Sequence, residues 1–360
     1  MKVLITVPDL RTPGGVSSLF NTLNLDKKSE IDYFNISGNN RKKGICRLIG
    51  LIIIFFNFYK KIKKYDILHV NPSLNPKSFY RDALFIFISI FLNKRVIVYW
   101  HGWKEEFELS IKNDKIKKWI FNYSYKKANA YIVLGNVFKE KLISLNAKGI
   151  FFIESNAADD TYITEKLNNK FSFLKPKITL LFLARIEVEK GIYIAIDAFK
   201  KLMLRKDLNL QLIIAGDGSE LQNVKAYVNN QNIENIIFKG FVVNEQKASV
   251  YLESDILIFP TYHEGMPLVI LESMIYGLPI ISRPVGGIPD WVIDGENGFL
   301  IHSLNSDDFI DPILKLIDNK NLFSSISQKN KLKAQDYFTP SKVRGRLINY
   351  YNFIYDSKRS

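Results

Sequence analysis

The chain has 360 residues, 47% of them hydrophobic and 24% charged, which is enough for two globular domains and excludes a disordered or membrane-spanning chain. The net charge of +14 favours acidic partners such as phosphorylated substrates or anionic lipid. Nucleic acid is disfavoured because the sequence has no zinc-ligand spacing, RNA-binding aromatic signature or arginine-rich arm. The one cysteine, Cys46, excludes a disulfide framework and is typical of a cytoplasmic protein.

Short apolar runs alternate with helical stretches along the chain, beginning with a run too soon broken to be a signal peptide. The predicted strands span residues 3–7, 31–36, 67–70, 96–100, 130–134, 150–153, 178–183, 210–215, 236–238, 256–259, 279–282 and 299–301. Such alternation predicts parallel sheets with right-handed crossovers. A single sheet of that many strands is unusual, so we expect two doubly wound α/β domains with a break in the polar stretch 156–176.

Two apolar segments, residues 48–58 and 83–92, fall short of the roughly 18 residues that a membrane-spanning helix needs. We expect both to be buried crossover helices. The first has a second interpretation, because the basic clusters Arg41–Lys43 and Lys60–Lys64 flank it. That arrangement is also typical of a helix lying in the interface of an anionic membrane.

Two candidate ligand-binding turns follow strands of the first domain. Gly14 and Gly15 open a helix after the first strand, where the backbone can approach an anion closely. His101 and Gly102 end a later strand. A histidine there is either a structural hydrogen-bonding group or a polar group that faces a ligand.

Two cations follow the first strand of the second domain. Arg185 and Lys190 stand between that strand and a helix that begins near Gly191. They suit a diphosphate, which arginine holds by its planar fork and lysine as a point charge. The alternative, equally supported by the spacing, is that they pair on the surface with Glu187 and Glu189.

The segment from Tyr262 to Gly277 carries two glutamates around a Gly-Met-Pro turn. Glu264 falls in the predicted loop and Glu272 on the following helix, whose first turn Pro267 suits. The backbone N–H groups around Gly265 to Val269 are then free for an anion or a sugar hydroxyl. Carboxylates repel phosphate, so the two glutamates suit hydroxyl donors. A plainer interpretation is one glutamate that offsets the helix dipole and one on the surface.

This segment resembles the E-x7-E signature of the retaining family 4 glycosyltransferases, which have the GT-B fold. Further motifs of that family recur in the same order, so the resemblance covers nearly the whole chain. They are Pro13–Val16, His101–Gly102, Ala184–Gly191 (with Ala184 where glycine is more usual), Ala215–Glu220 and Asn297–Leu300. Pro284–Pro289, with Asp290, resembles a glycine loop that we interpret as architecture.

The resemblance implies an α/β protein with two Rossmann-like domains facing a cleft. It places an acceptor-binding domain at residues 1–160, a linker at 161–176 and a nucleotide-sugar donor domain at 177–338. Residues 339–360 would form a helix that packs back on the first domain.

The resemblance also implies the roles of individual residues. The catalytic set is Arg185, Lys190, Glu264 and His101, with the two cations on the donor diphosphate, Glu264 on the sugar ring and His101 as a polar stabiliser. The donor-binding set is Gly15, Gly240, Phe241, Gly265, Met266, Pro267, Leu268 and Glu272. In that set Glu272 would bind the ribose, and the main chain near Gly240 the nucleobase.

No Asp-x-Asp pair stands at a predicted strand end, so we expect no metal and no cofactor. The resemblance implies transfer of a hexosyl or N-acetylhexosaminyl group, with retention, from a UDP- or GDP-sugar. The charge and apolar runs of the first domain favour a lipid-linked glycan acceptor at the anionic inner leaflet. This points to a peripheral protein of bacterial capsule, O-antigen or lipopolysaccharide assembly.

Two other functions remain open on sequence alone. A nucleotide-sugar 2-epimerase has the same fold but turns over its donor without an acceptor. A non-enzymatic membrane-surface scaffold would depend on the Arg41–Lys64 charges and not on Lys190 or Glu272.

Overall fold

A computed structural model describes residues 1–12, 14–28, 30–37, 45–161, 177–205 and 207–357, and only the backbone of residues 45–48. Pro13, the basic run Arg41–Lys43 and nearly all of the expected linker lie outside the described residues, as does the side chain of Cys46. The chain divides into an N-terminal unit, residues 1–157 with 340–360, and a C-terminal unit, residues 158–339.

The strands lie close to their predicted positions. They are β1 (Val3–Val7), β2 (Ile31–Asn35), β3 (Ile67–Val70), β4 (Ser73–Leu74), β5 (Arg95–Trp100), β6 (Gly102–Trp103), β7 (Ala130–Val133), β8 (Ile150–Ile153), β9 (Ile178–Leu183), β10 (Leu210–Ala215), β11 (Ile236–Gly240), β12 (Ile256–Phe259), β13 (Ile280–Ser282) and β14 (Gly298–Leu300).

Helices connect these strands. They are α1 (Gly15–Leu23), α2 (Ile45–Ile62), α3 (Pro76–Phe91), α4 (Glu105–Asn113), α5 (Lys115–Tyr123), α6 (Asn136–Ser144), α7 (Ile192–Leu202), α8 (Leu221–Asn230), α9 (Asn244–Glu253), α10 (Leu268–Ile275), α11 (Ile288–Trp291), α12 (Ile310–Asp318), α13 (Lys320–Tyr337) and α14 (Pro340–Asp356).

Each unit is built on one parallel six-stranded sheet. The N-terminal sheet has the order β2-β1-β3-β5-β7-β8 and the C-terminal sheet the order β11-β10-β9-β12-β13-β14. Central strands such as β1 and β12 are buried along their whole length, whereas the edge strands β2 and β11 are partly exposed. Continuous apolar runs form the central strands because helices cover both faces of a parallel sheet. The predicted pair of doubly wound α/β folds is confirmed.

The C-terminal helix α14 packs in the N-terminal unit, as expected. Arg346 forms a bidentate ion pair with the fully buried carboxylate of Glu154, at 2.6 Å to Oε1 and 2.9 Å to Oε2. The Tyr350 ring stacks on Phe152 with 4.0 Å between ring centroids. These contacts tie the end of the chain to the carboxyl end of β8.

The segment at 48–58 lies within α2, and the segment at 83–92 lies within α3 except for Leu92, the C-cap residue. No helix in the described part of the chain is both long and apolar enough to cross a membrane.

Candidate active site

Lys190 and Glu264 meet at the carboxyl edge of the C-terminal sheet. They lie on the segments that follow β9 and β12, which are neighbours in the sheet. Lys190 Nζ lies 2.6 Å from Glu264 Oε1, and both side chains are mostly buried. Lys190 therefore pairs across the fold and not with Glu187 or Glu189, its neighbours in sequence.

Main-chain contacts set the spacing of this pair. The Tyr262 amide donates to the Glu189 carbonyl at 2.8 Å, which joins the two segments. Gly191 has φ of +77°, and a Cβ there would lie 2.1 Å from the Pro260 carbonyl oxygen. Glycine is thus required beside Lys190, because a side chain would push the two segments apart.

Hydrogen bonds from within the protein reach one oxygen of the Glu264 carboxylate. Thr261 Oγ1 donates to Glu264 Oε1 at 3.0 Å, the same oxygen that Lys190 contacts. Among the described residues Oε2 receives no hydrogen bond. A carboxylate oxygen in this state can accept a hydroxyl.

The glycine loop after β13 supports the Glu264 loop from below. Gly287 N donates to the Gly265 carbonyl at 2.6 Å. Gly286 has φ of +60°, and a Cβ there would lie 2.0 Å from the Glu264 carbonyl oxygen. The loop Pro284–Pro289, interpreted from the sequence as structural, thus fixes the position of the Glu264 main chain.

Glu272 lies on α10 and is held by two residues of α9. Lys247 Nζ lies 2.5 Å from Glu272 Oε1, and Tyr251 donates to Oε2 at 2.7 Å. Burial, followed by the charge of Glu272, raises the pKa of Tyr251 well above its usual value, so the phenol remains a donor. Each carboxylate oxygen keeps a lone pair for a further hydroxyl.

Sequence reasoning missed Lys247 and Tyr251. Their spacing of four residues places them on one helical face, directly after the loop expected to hold the nucleobase. Nothing local in the sequence indicates which neighbouring helix that face meets.

The turn before α10 departs slightly from expectation. Pro267 is the N-cap, with φ of −73° and ψ of 132°, and Leu268 is the first helical residue. The expected place of Pro267 inside the first turn was therefore wrong by one residue. Met266 is buried, and the first amides of α10 have no partner within the helix.

Arg185 adopts the surface arrangement that the sequence left open. Its side chain is 70% exposed, and Nη1 lies 2.8 Å from Glu187 Oε1. Arg185 and Lys190, expected as two fixed cations, thus differ: Lys190 is held and Arg185 is free to reorient. Gly240 ends β11 with φ of +66°, and Phe241 beside it is highly exposed.

In the N-terminal unit, Gly15 begins α1 with Gly14 as its N-cap. His101 follows β5 and is half-buried. Its Nε2 lies 2.8 Å from Asn71 Oδ1, and Asn71 Nδ2 donates to the Thr6 carbonyl at 2.8 Å. The amide orientation of Asn71 therefore requires a proton on His101 Nε2 and leaves Nδ1 as an acceptor.

Burial, helped by the neighbouring His69, lowers the pKa of His101 to about 3. The imidazole is thus neutral near pH 7. It can accept a hydrogen bond at Nδ1 but carries no positive charge toward a phosphate.

His69 gives the N-terminal unit a pH-dependent stability. It is fully buried, and burial lowers its pKa from 6.5 to about 3. Between these two values the unfolded state binds more protons, so stability falls as the pH falls. We expect the free energy of unfolding to drop by about 2 kcal/mol less between pH 7.5 and pH 5 in His69→Gln than in the wild type.

Urea unfolding followed by tryptophan fluorescence measures this difference, because Trp100, Trp103 and Trp119 lie in the N-terminal unit and only Trp291 in the other. Identical pH profiles for the two proteins would contradict the assignment.

Comparisons with known proteins identify the family. The model of the glycosyl transferases group 1 matches residues 164–333. The glycosyltransferase MJ1069 of Methanocaldococcus jannaschii is 32% identical over 324 residues, covering 82% of this chain and 78% of that protein. The chain is a group 1 glycosyltransferase.

Of two further relatives of this glycosyltransferase, one lies in a cps region and the other is named for capsular polysaccharide biosynthesis. A 41.2 kDa protein in the cps region of Klebsiella pneumoniae is 25% identical and covers 96% of this chain and 97% of its own length. The capsular polysaccharide biosynthesis glycosyltransferase CapM of Staphylococcus aureus is 25% identical over 63% of this chain and 60% of CapM.

The fold of this glycosyltransferase is also that of solved structures. Anabaena Alr3699/HepE, solved in complex with UDP, matches with a TM-score of 0.77 at 15% identity, over 98% of this chain and 100% of HepE. The GT-B fold that the sequence resemblance implied is thus confirmed.

Proposed function

We propose that this group 1 glycosyltransferase transfers a sugar from a nucleotide diphosphate with retention of configuration, through the C-terminal site. The observation that carries the proposal is the Lys190–Glu264 pair. It is held by main-chain contacts where β9 and β12 end, with Glu272 on the following helix. Ligands of doubly wound folds bind at such carboxyl strand ends.

The two cations have separate tasks in this proposal. Lys190 is a fixed counter-charge for the leaving diphosphate, and Arg185 moves from Glu187 to the phosphates when donor binds. Both stabilise the charge that develops as the bond between the anomeric carbon and the phosphate oxygen breaks. The bond to the acceptor oxygen forms on the same face, and the acceptor proton goes to the departing phosphate oxygen.

The carboxylates bind hydroxyls in this proposal. Glu264 Oε2 accepts from the donor sugar, and Glu272 accepts from the ribose. The main chain of Gly265–Leu268 lies at the helix N-terminus, Gly240 and Phe241 lie at the nucleobase, and Gly15 approaches the donor. Neutral His101 accepts a sugar hydroxyl at Nδ1. Because Lys190 and Arg185 supply the positive charge, the reaction needs no metal ion.

The relatives support a narrower substrate proposal. HepE was solved with UDP and with UDP-glucose, which supports a UDP-sugar as donor, with a GDP-sugar as the alternative. CapM and the cps-region protein support a role in surface polysaccharide synthesis. We propose transfer of a hexosyl or N-acetylhexosaminyl group to a lipid-linked glycan of a capsule, O-antigen or lipopolysaccharide, at the cytoplasmic face of the inner membrane.

A thermal-shift panel of UDP-, GDP- and ADP-sugars tests the donor. A ligand that binds only the folded state raises its stability by RT ln(1 + [L]/Kd), so the true donor gives the largest shift. We expect that shift to be lost in Glu272→Ala. No shift with any nucleotide sugar, or an equal shift in the variant, would count against the proposed site.

The contact between Lys247 and Glu272 gives a kinetic prediction. Lys247→Met removes a charge-assisted hydrogen bond that orients Glu272, so we expect the donor KM to rise about tenfold with kcat little changed. Lys239→Met is the matched control, because Lys239 forms an exposed ion pair with Glu253, which lies on the same helix as Lys247. Steady-state nucleotide release measures both constants. Equal KM values in the two variants would exclude Lys247 as a positioning residue.

A further inference from the structure

An exposed apolar stripe runs along α2. Ile49, Ile52, Ile53 and Phe56 recur at the spacing of one helical face, and each is at least half exposed. The opposite face, with Phe58 and Ile62, is buried in the unit. The helix is thus apolar on both sides, which is more than packing against its own sheet requires.

The neighbouring helices extend this stripe. On α3, Leu84 is 47% and Phe91 80% exposed, and on α5, Trp119 is 55% exposed. Helix α3 contacts both α2 and α5, and the Phe87 and Trp119 rings lie 6.0 Å apart between centroids. We define the α2–α3–α5 face by Ile52, Phe56, Leu84, Phe91 and Trp119. Exposed apolar side chains on three helices that pack in series mark an interaction site.

Lysines at the end of α2 and on α5 give the α2–α3–α5 face a basic rim. Helix α2 carries Lys60 and Lys61 in its last turn and is followed by Lys63 and Lys64. Helix α5 carries Lys115, Lys117 and Lys118, of which Lys117 pairs with the N-cap residue Asp114 at 3.6 Å. Helices α2 and α5 contain no acidic residue, and the one acidic residue of α3, Asp82, is buried beside Arg81. The Lys60 ammonium lies 4.2 Å above the Phe56 ring, so charge and apolar surface are directly adjacent.

The positive charge of the basic rim determines which kind of partner can bind the α2–α3–α5 face. A second copy bound through the same face would bring two basic rims together, because a two-fold contact pairs identical patches. An anionic bilayer complements both the apolar side chains and the basic rim. Apolar side chains and tryptophan enter the headgroup boundary, while lysines reach the lipid phosphates. The stripe follows one side of α2, as the apolar face of an interfacial helix does, and no helix of the described residues is long and apolar enough to cross a membrane.

We propose that the α2–α3–α5 face is a docking surface for an anionic lipid bilayer. The docking proposal rests on the proposed function in one respect: the docked protein would reach a lipid-linked acceptor in the membrane. The Lys190–Glu264 pair lies in the other unit, and neither Gly15 nor His101 belongs to this face, so docking and donor binding are separable by mutation.

Vesicle co-sedimentation of the full-length chain tests the docking surface. The vesicles are phosphatidylcholine alone, or phosphatidylcholine with about 30 mol% phosphatidylglycerol. One variant combines Phe56→Ser with Trp119→Ser, and a second combines Lys60→Ser with Lys64→Ser. The control combines Leu332→Ser with Lys329→Ser, both about half exposed in the C-terminal unit.

We expect wild type and control to bind the anionic vesicles, and each variant to bind about tenfold or more weakly. The donor thermal shift should be retained in both variants, which shows that they are folded. Unchanged vesicle binding in the variants would overturn the proposal. The proposal would also be overturned if the wild-type protein did not bind vesicles and instead formed dimers that the Phe56→Ser, Trp119→Ser variant did not form. Vesicle binding without a donor shift in the wild type would refute the proposed function and leave the docking surface standing.

Discussion

Lys190→Met is expected to reduce sugar transfer by about a thousandfold, because it removes the mostly buried cation that pairs with Glu264. The loss should appear in kcat, since the leaving phosphate develops its charge in the transition state. Nucleotide release from the donor identified by thermal shift measures it.

Lys239→Met is the control for Lys190→Met, since it removes a salt-bridged lysine from the surface of the same unit. We expect it to retain full activity. A Lys190→Met protein that turns over donor at the wild-type rate, with an unchanged melting temperature, would remove Lys190 from the mechanism.

Arg346→Met is expected to destabilise the N-terminal unit by about 3–5 kcal/mol, because the carboxylate of Glu154 is fully buried and would lose its cationic partner. Urea unfolding followed by tryptophan fluorescence measures the change. Arg346 lies on the last helix of the chain, so this also measures how strongly α14 anchors the unit.

The control for Arg346→Met is the double variant Glu154→Met with Arg346→Met. It leaves no uncompensated charge, so we expect it to recover much of the lost stability. A double variant that is less stable than Arg346→Met would show that packing, and not the unpaired carboxylate, determines the cost.

The sheets could be predicted from the sequence because their central strands are buried on both faces. Runs such as 180–183 and 256–259 are continuously apolar, so the strands that contain them are visible in the chain itself. The two-residue strands β4 and β6 carry no such pattern, and they were missed. Residues 162–176 of the expected linker are not described, so its predicted extent stays a prediction.

The pairing inside the site could not be predicted in the same way. Lys190 and Glu264 are 74 positions apart and meet because β9 and β12 are adjacent. Glu187 and Glu189 were equally suitable partners by sequence distance. Only the sheet order decides between them, and sheet order is a property of the whole domain.

The exposed face of α2 could not be predicted from the sequence, for a different reason. A helix with apolar residues on both sides has little contrast between its faces, so periodicity does not indicate which one is exposed. The structure shows Phe58 inside and Phe56 outside. The roles assigned to Gly15, Gly240 and Phe241 remain predictions.

Retention of configuration is tested by the configuration of the sugar released when water replaces the acceptor. Proton NMR, recorded early in donor turnover before mutarotation, distinguishes the two anomers without knowledge of the natural acceptor. We expect an α-linked donor such as UDP-glucose to yield the α-anomer first, with release strongly reduced in Lys190→Met. Initial release of the β-anomer would contradict retention, and wild-type release in Lys190→Met would contradict the site.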